Sequence, residues 1–282
     1  MINVHTHPIF YEDICEDQER LNFRKEQFGI FKQSPQSLES IITGMDYGGI
    51  DKSVLLPEDI TTLHGDVVVS NDEIKKLVDL RPDRFIGFAS VDPHRADALE
   101  VLDYAFRDLG LMGLKLNPSK QKFYPHDEIL HPIYKKCMEY NKPIMFHAGM
   151  SWEPDAPAKF SVPLNFEEVA ITHPEMRICL AHFGWPWVQD TVMLLLKYSN
   201  VYTDTSMLYM DNAKDFYEQV FTRNMGPQWI DRNLNDKVMF GSNSPRIRAS
   251  RLKPALESLP MRRTTLDKIF GANAEKFLGL KG

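Results

Sequence analysis

Long apolar runs are missing from this chain of 282 residues: the longest, Val192 to Leu196, is five residues, against the ~20 needed to cross a bilayer. No membrane span is expected. Basic runs are equally scarce, none longer than a pair such as Arg262-Arg263, and the net charge is -6. A surface for nucleic acid or for an anionic membrane is therefore not expected. Cysteine is rare. Cys15, Cys137 and Cys179 are odd in number and widely spaced, which argues against a disulfide framework and for a reducing, cytoplasmic setting. The chain starts without a charged stretch leading into an apolar one, so no leader is expected. Phosphate-loop, nucleophile-elbow and Cys-x-x-Cys motifs are absent as well, and with them the chemistries that those motifs carry.

What is present is a repeated alternation. Strands are expected at residues 2–7, 52–57, 85–91, 112–117, 143–147, 177–182, 201–205 and 237–242. Nearly every one is followed by an amphipathic helical pattern, at 37–47, 71–80, 96–109, 128–140, 165–172, 187–198 and 213–223, and a last helix closes the chain at 269–278. Strict strand-then-helix order argues for a parallel sheet, and eight such units argue for one (β/α)8 barrel over 1–282, with no linker or break in composition. An open doubly wound sheet is the rival. It would carry a glycine-rich turn after its first strand, where this chain has His-Thr-His-Pro. Residues 8–35 are highly charged with little periodicity and read as a β1–α1 insertion, either a lid or a solvated excursion.

The residues with chemistry in them gather at the C-terminal ends of these strands, where such a barrel places its active site. His5 and His7 stand two apart on the first strand, so a period of two turns both imidazoles to one side. His147 ends the fifth strand, His182 the sixth and Asn243 the eighth, and Lys115 lies near the end of the fourth. A single histidine at a strand end is commonly structural. Four of them, each closing an apolar run, point to a shared metal ion. The other five histidines read as surface or capping residues.

Together, His-Thr-His on strand one, His-Ala-Gly on five, Ala-His-Phe-Gly on six and Phe-Gly-Ser-Asn-Ser-Pro on eight resemble the amidohydrolase superfamily. The branch resembled is the amidohydrolase-related group that includes aminocarboxymuconate-semialdehyde decarboxylase. Gly-Leu-Lys-Leu-Asn-Pro and the final Ile-Phe-Gly-Ala-Asn-Ala-Glu-Lys-Phe-Leu-Gly-Leu add to the likeness, which covers essentially the whole chain. The resemblance implies one divalent metal, usually zinc with manganese or magnesium as alternatives, held by His5, His7 and His147. The side chain at 243 would complete the site, and His182 would act as acid and base. It also implies a small-molecule substrate. Homo-oligomers are common among such enzymes, although no interface signature is visible.

At position 243 this chain has Asn where the family pattern has Asp. An amide oxygen is a neutral, weaker ligand and has negligible basicity. Three explanations are open: an engineered change that silences turnover, a natural variant that relies on His182, and a binding protein that has lost catalysis. Hydrolysis, with metal-activated water attacking an amide, ester or lactone, is placed first. Non-oxidative decarboxylation of an aromatic or unsaturated acid is the alternative, and a catalytically silent ligand-binding barrel the second alternative. Lys115, Trp152 and Arg246 are the substrate-binding candidates. Pro154, Trp185 and Trp187 could also border the mouth, Arg248 could recognise an anion or be a surface residue, and Asp204 could orient His182 or Lys115.

Overall fold

The computed structural model describes residues 1–206 and 212–280. Eight parallel strands form the wall: β1 (Ile2–Thr6), β2 (Lys52–Leu55), β3 (Phe85–Gly87 and Ala89–Ser90), β4 (Leu114–Leu116), β5 (Ile144–Phe146), β6 (Ile178–Leu180), β7 (Val201–Asp204) and β8 (Val238–Met239). Each pairs with the next in chain order. The interruption of β3 at Phe88 is only local, since the Phe88 N–H still donates to Leu55 O at 3.0 Å. Backbone hydrogen bonds join β8 to β1 and close the ring, from Val4 N to Phe240 O at 2.9 Å, Asn243 N to His5 O at 3.0 Å and His7 N to Ser244 O at 2.7 Å. The expected (β/α)8 architecture is the one observed. Among the described residues, no helix is long and apolar enough to cross a membrane.

Strand periodicity divides the barrel interior into an apolar floor and a polar ceiling. Val4, Val54, Phe88, Met145, Cys179, Tyr202 and Met239 pack together over Phe277 of the closing helix Asn273–Leu278. One step further along the same strand faces, Met145 gives way to His147 and Tyr202 to Asp204. The opposite strand faces pack under the outer helices in a larger apolar cluster. Burial of apolar area drives both layers, and the C-terminal end of the barrel interior holds a group of buried charged side chains, among them Glu58, Lys115, Lys120 and Asp204.

β1 departs from simple alternation. Asn3 pairs with Ser53 and Thr6 with Leu55, so β1 carries one residue more than its partner between these points. This bulge lets Val4 join the apolar floor while His5 and His7 both enter the polar end. Bulges recur beside active sites because they re-aim side chains.

Residues 8–35 are more ordered than their sequence pattern indicates. They hold the helix α1 (Gln18–Phe28), capped by the Asp17 side chain and ended by Gly29 in the left-handed region. Arg24 is buried within it and donates to Ile14 O at 2.6 Å, Val68 O at 2.7 Å and Glu73 Oε1 at 2.7 Å. Phe28, at its C-terminal end, packs edge-on against the His7 ring with centroids 4.9 Å apart. A short antiparallel pair, Glu58–Asp59 with Val67–Val69, follows β2 and was not expected.

Candidate active site

His5, His7, His182 and His147 form a continuous run of rings at the C-terminal end of the barrel. Centroids are 5.1 Å apart for His5 and His7, 4.7 Å for His5 and His182, and 4.8 Å for His182 and His147. Strand alternation alone would turn His182 outward with Leu180. Instead His182 and Phe183 take left-handed backbone angles, φ 61° and 52°, and this turn swings the imidazole back among the others. Gly241 on the eighth unit leaves the space they need: a Cβ there would lie 3.0 Å from Asp204 Cγ and 3.1 Å from His5 Cβ.

Hydrogen-bond partners fix where the ring protons sit. His5 Nδ1 is 2.8 Å from Asp204 Oδ2, His7 Nδ1 is 3.1 Å from Leu56 O, and His182 Nδ1 is 3.0 Å from Ser206 O. Carboxylate and carbonyl oxygens only accept, so each Nδ1 carries the hydrogen and each Nε2 a lone pair. His5 Nε2 and His7 Nε2 then face one another at 3.2 Å. Two lone pairs at that distance repel unless a cation lies between them. The residues therefore fit a divalent metal, and the bond from His5 Nδ1 to a carboxylate is the usual outer support of a metal-ligating imidazole.

His147 is placed differently from the expected ligand trio. Its Nδ1 lies 3.1 Å from His182 Nε2 and its Nε2 2.9 Å from Ser151 Oγ, so His182 stands as the ring between it and His5. His5, His182 and Asp204 have ligand-type atoms within 4.8 Å of one another. Asp204 is already engaged, however. Besides His5 it accepts from the backbone N–H of His182 at 2.9 Å, from that of Ser206 at 3.0 Å and from the Ser206 hydroxyl. We assign it as the carboxylate that orients His5 and His182.

Charge and burial set the resting protonation. Burial is the main cause that pushes His182 down to about 3, with the neighbouring His5 adding to it. His7 and His147 are held well below the ordinary histidine value, again by burial first and then by a neighbouring imidazole. Burial works to raise Asp204, but His5, through its charge and its hydrogen bond, holds the carboxyl below its usual value. The imidazoles rest neutral, the state that ligation and proton abstraction both need.

His7, His147, His182 and Asn243 line one small cavity together with Lys115, Trp152 and Arg246, so it gathers most of the residues singled out in the sequence. Lys115 is 1% exposed, and its ammonium has no hydrogen-bond partner among the described residues. Burial drives it down to about 8, against the attraction of Glu58 and Asp204. Arg246 donates to Phe28 O at 2.7 Å and lies 3.6 Å from Glu153. Trp152 is half-exposed at the mouth. Asn243 adopts φ 58°, a left-handed angle that Asn tolerates better than most residues. Trp185 and Trp187 border a separate cleft, and Arg248 faces another cavity.

The sequence reading missed Glu58, Asn117 and Lys120, which line the same cavity. Lys120 Nζ lies 2.8 Å from Glu58 Oε2, and Asn117 Nδ2 donates to Glu58 Oε1 at 2.6 Å. An acidic residue just past the end of β2 is the signal that could have pointed there.

Among solved structures, the chain is similar to an uncharacterized TIM-barrel protein from Bordetella bronchiseptica, with 22% identity, 99% of this chain and 98% of that one covered and a TM-score of 0.75. It is also similar to 2,6-dihydroxybenzoate decarboxylase from Rhizobium, with 16% identity, coverage of 100% and 98% and a TM-score of 0.68. A third is 5-carboxyvanillate decarboxylase from Novosphingobium aromaticivorans, an Asp-to-Asn variant with bound manganese and a nitrobenzoic acid, with 22% identity, coverage of 99% and 97% and a TM-score of 0.65. No curated protein matches the chain in sequence. The amidohydrolase family model matches residues 2–280, essentially the whole barrel with its histidine-lined end, and the chain belongs to that family.

Proposed function

We propose that this protein is a metal-dependent decarboxylase that removes CO2 from a small aromatic or unsaturated carboxylic acid without an oxidant. The observation that carries this reading is Lys115, a buried ammonium in the wall of the imidazole cavity with no hydrogen-bond partner among the described residues. An uncompensated buried cation is costly, and an incoming carboxylate would offset it. Lys120 and Arg246, the other cations of the cavity, already face Glu58 and Glu153, which leaves Lys115 to take the substrate's anion. The two decarboxylases of hydroxybenzoate-type acids among the similar folds add support. Hydrolysis, placed first on sequence alone, ranks second here: Asn243 offers no base for water, and no feature of the cavity selects for a neutral amide or lactone.

His5 and His7 would hold the metal, with His147 as the further imidazole donor and His182 kept for proton transfer. Imidazole donors suit zinc, and manganese is the ion bound in the Novosphingobium relative. When bound, a divalent metal supplies positive charge that polarises a substrate oxygen. The chain's own residues do the rest. Lys115 grips the carboxylate and orients it. His182, resting neutral with a lone pair on the Nε2 that faces His147, takes the proton of a substrate hydroxyl and returns it to the carbon that bears the carboxylate. The C–C bond then breaks, its electron pair returns to the ring, and CO2 leaves. Asp204 offsets the positive charge that His182 carries between these steps.

The test is to supply metal-loaded protein with a panel of hydroxybenzoates and unsaturated carboxylates and to measure CO2 against ring-opened or hydrolysed product. Release of CO2 that falls by about 10–100-fold in kcat/KM in Lys115→Met is expected. Turnover of lactones or amides with no CO2 from any acid would overturn the reading.

A further inference from the structure

A second cavity lies behind β1, on the helix side of the barrel wall, and the only residue in its lining shared with the first is His7. It holds about 390 Å³, within the range of small-molecule sites. Its floor is Asn3, Thr6, Ser53 and Ser242, all short polar side chains. Its roof is α2 (Leu38–Gly48), which contributes Ile41, Gly44 and Met45. An outer lobe, again about 390 Å³, continues to Lys32 and Arg248.

Three observations indicate what fits there. Neither lobe is lined by an aspartate or glutamate, in a chain with 39 acidic residues. Where the lobes meet, the nine-residue helix Ala249–Glu257 begins without a side-chain cap, and the N–H groups of Ala249 and Ser250 have no partner among the described residues. Such unpaired N–H groups, with Arg248 beside them, favour an anion. Independently, Ser53 is only 2% exposed and lines the inner lobe, yet its hydroxyl makes no hydrogen bond among the described residues. A hydroxyl that opens only onto a cavity is free to pair with whatever occupies it.

We propose that this cavity is a second ligand site, for a small organic carboxylate. The acid group would face Arg248 and the start of the Ala249–Glu257 helix, the apolar body would lie against Ile41 and Met45, and a ring substituent would reach Ser53. Ser244 borders both lobes, and its carbonyl holds the His7 N–H at 2.7 Å, so an occupant sits one residue from the imidazole cluster.

The test uses 4-fluorobenzoate, followed by fluorine NMR and calorimetry on the metal-loaded protein. Two binding events are expected in the unaltered chain. Arg248→Glu should remove one of them by losing the acid contact. Gly44→Trp should remove the same one by filling the inner lobe; a Cβ at Gly44 meets nothing within 4 Å, so that variant should fold. The other event and the metal content should be unchanged in both. A single event that neither variant alters would overturn the proposal, as would equal binding of the uncharged 4-fluorobenzamide at the second site. Because the readout is stoichiometry and not turnover, failure here would leave the decarboxylase reading untouched, and the reverse also holds.

Discussion

The cavity beside the imidazoles holds about 40 Å³ and the one behind β1 about 390 Å³, yet the smaller carries nearly all of the site's titratable groups. Three cations, two carboxylates and three imidazoles line it, and apart from Lys115 and the facing Nε2 pair each charge meets a partner. The larger is built from hydroxyls, amides and apolar side chains with one cation at its edge. Room and reactivity are therefore separated here. Catalytic groups gain strength where water is excluded and partners are fixed in advance, and such a place is crowded before substrate arrives. A space of about 40 Å³ is well below the ~300 Å³ of an ordinary ligand pocket, and the half-exposed Trp152 stands at its mouth.

Changes at residue 243 and residue 182 should give the largest effects, and both concern the crowded cavity alone. Asn243→Asp would set a carboxylate in the same cavity as a second proton-handling group able to share the transfers assigned to His182, and is expected to raise turnover by about 10²–10⁴-fold, the usual worth of a positioned acid or base, as measured by CO2 release at saturating substrate. Unchanged turnover would mean that the chemistry needs only His182. His182→Asn should lower kcat by about 10²–10⁴-fold with the metal content by elemental analysis nearly intact. If metal were lost with activity, His182 would be a ligand and another group would carry the proton.

A smaller effect is expected one step further from the reacting atoms. Asp204→Asn leaves the His5 Nδ1–H without its carboxylate, and loss of such outer support weakens metal affinity or activity by about 10–100-fold. Titration against a metal chelator checks this, and an unchanged affinity would make Asp204 a proton-handling group only.

The parts of this site that were legible in the sequence are those that strand periodicity dictates. His147, Asn243 and Lys115 end up at the barrel mouth because each lies at or near the C-terminal end of its strand. The β1 bulge was not legible: nothing in Ile-Asn-Val-His-Thr-His marks an added residue, although the pair His5 and His7 reads the same way with or without it. The left-handed turn at His182 is invisible for a similar reason, since only the packed barrel makes that angle worthwhile. Helix α1 was missed because Arg24 occupies a position between Leu21 and Phe28 that an apolar residue would normally fill. That guanidinium is buried only because Ile14, Val68 and Glu73 accept its protons, contacts that lie up to 49 residues away. From the sequence Asp204 is a candidate to orient His182 or Lys115, and its place as the shared acceptor of His5, His182 and Ser206 depends on β6, β7 and β1 meeting.

Lys115 offers the finest test of the difference between the two cavities, because it sets stability against function. Its folded value of about 8 lies below the ordinary 10.5, with burial as the main cause. Below about pH 8 the native chain therefore holds a buried ammonium whose unfolded counterpart is hydrated, and the cost is fully present. Between about 8 and 10.5 the unfolded chain still binds the proton that the native chain has lost, so stability rises with pH across that window. Lys115→Met should abolish that rise and increase Tm at pH 7, because no native hydrogen bond is lost with the ammonium. The same change should cut kcat/KM by about 10–100-fold, from loss of a charged hydrogen bond worth ~1.5–3 kcal/mol. Thermal melts at pH 7, 8 and 10 together with steady-state kinetics measure both. A variant that melts lower and keeps its activity would show Lys115 to be part of the fold's support, and the claim that the small cavity is strained in order to bind an anion would fail with it.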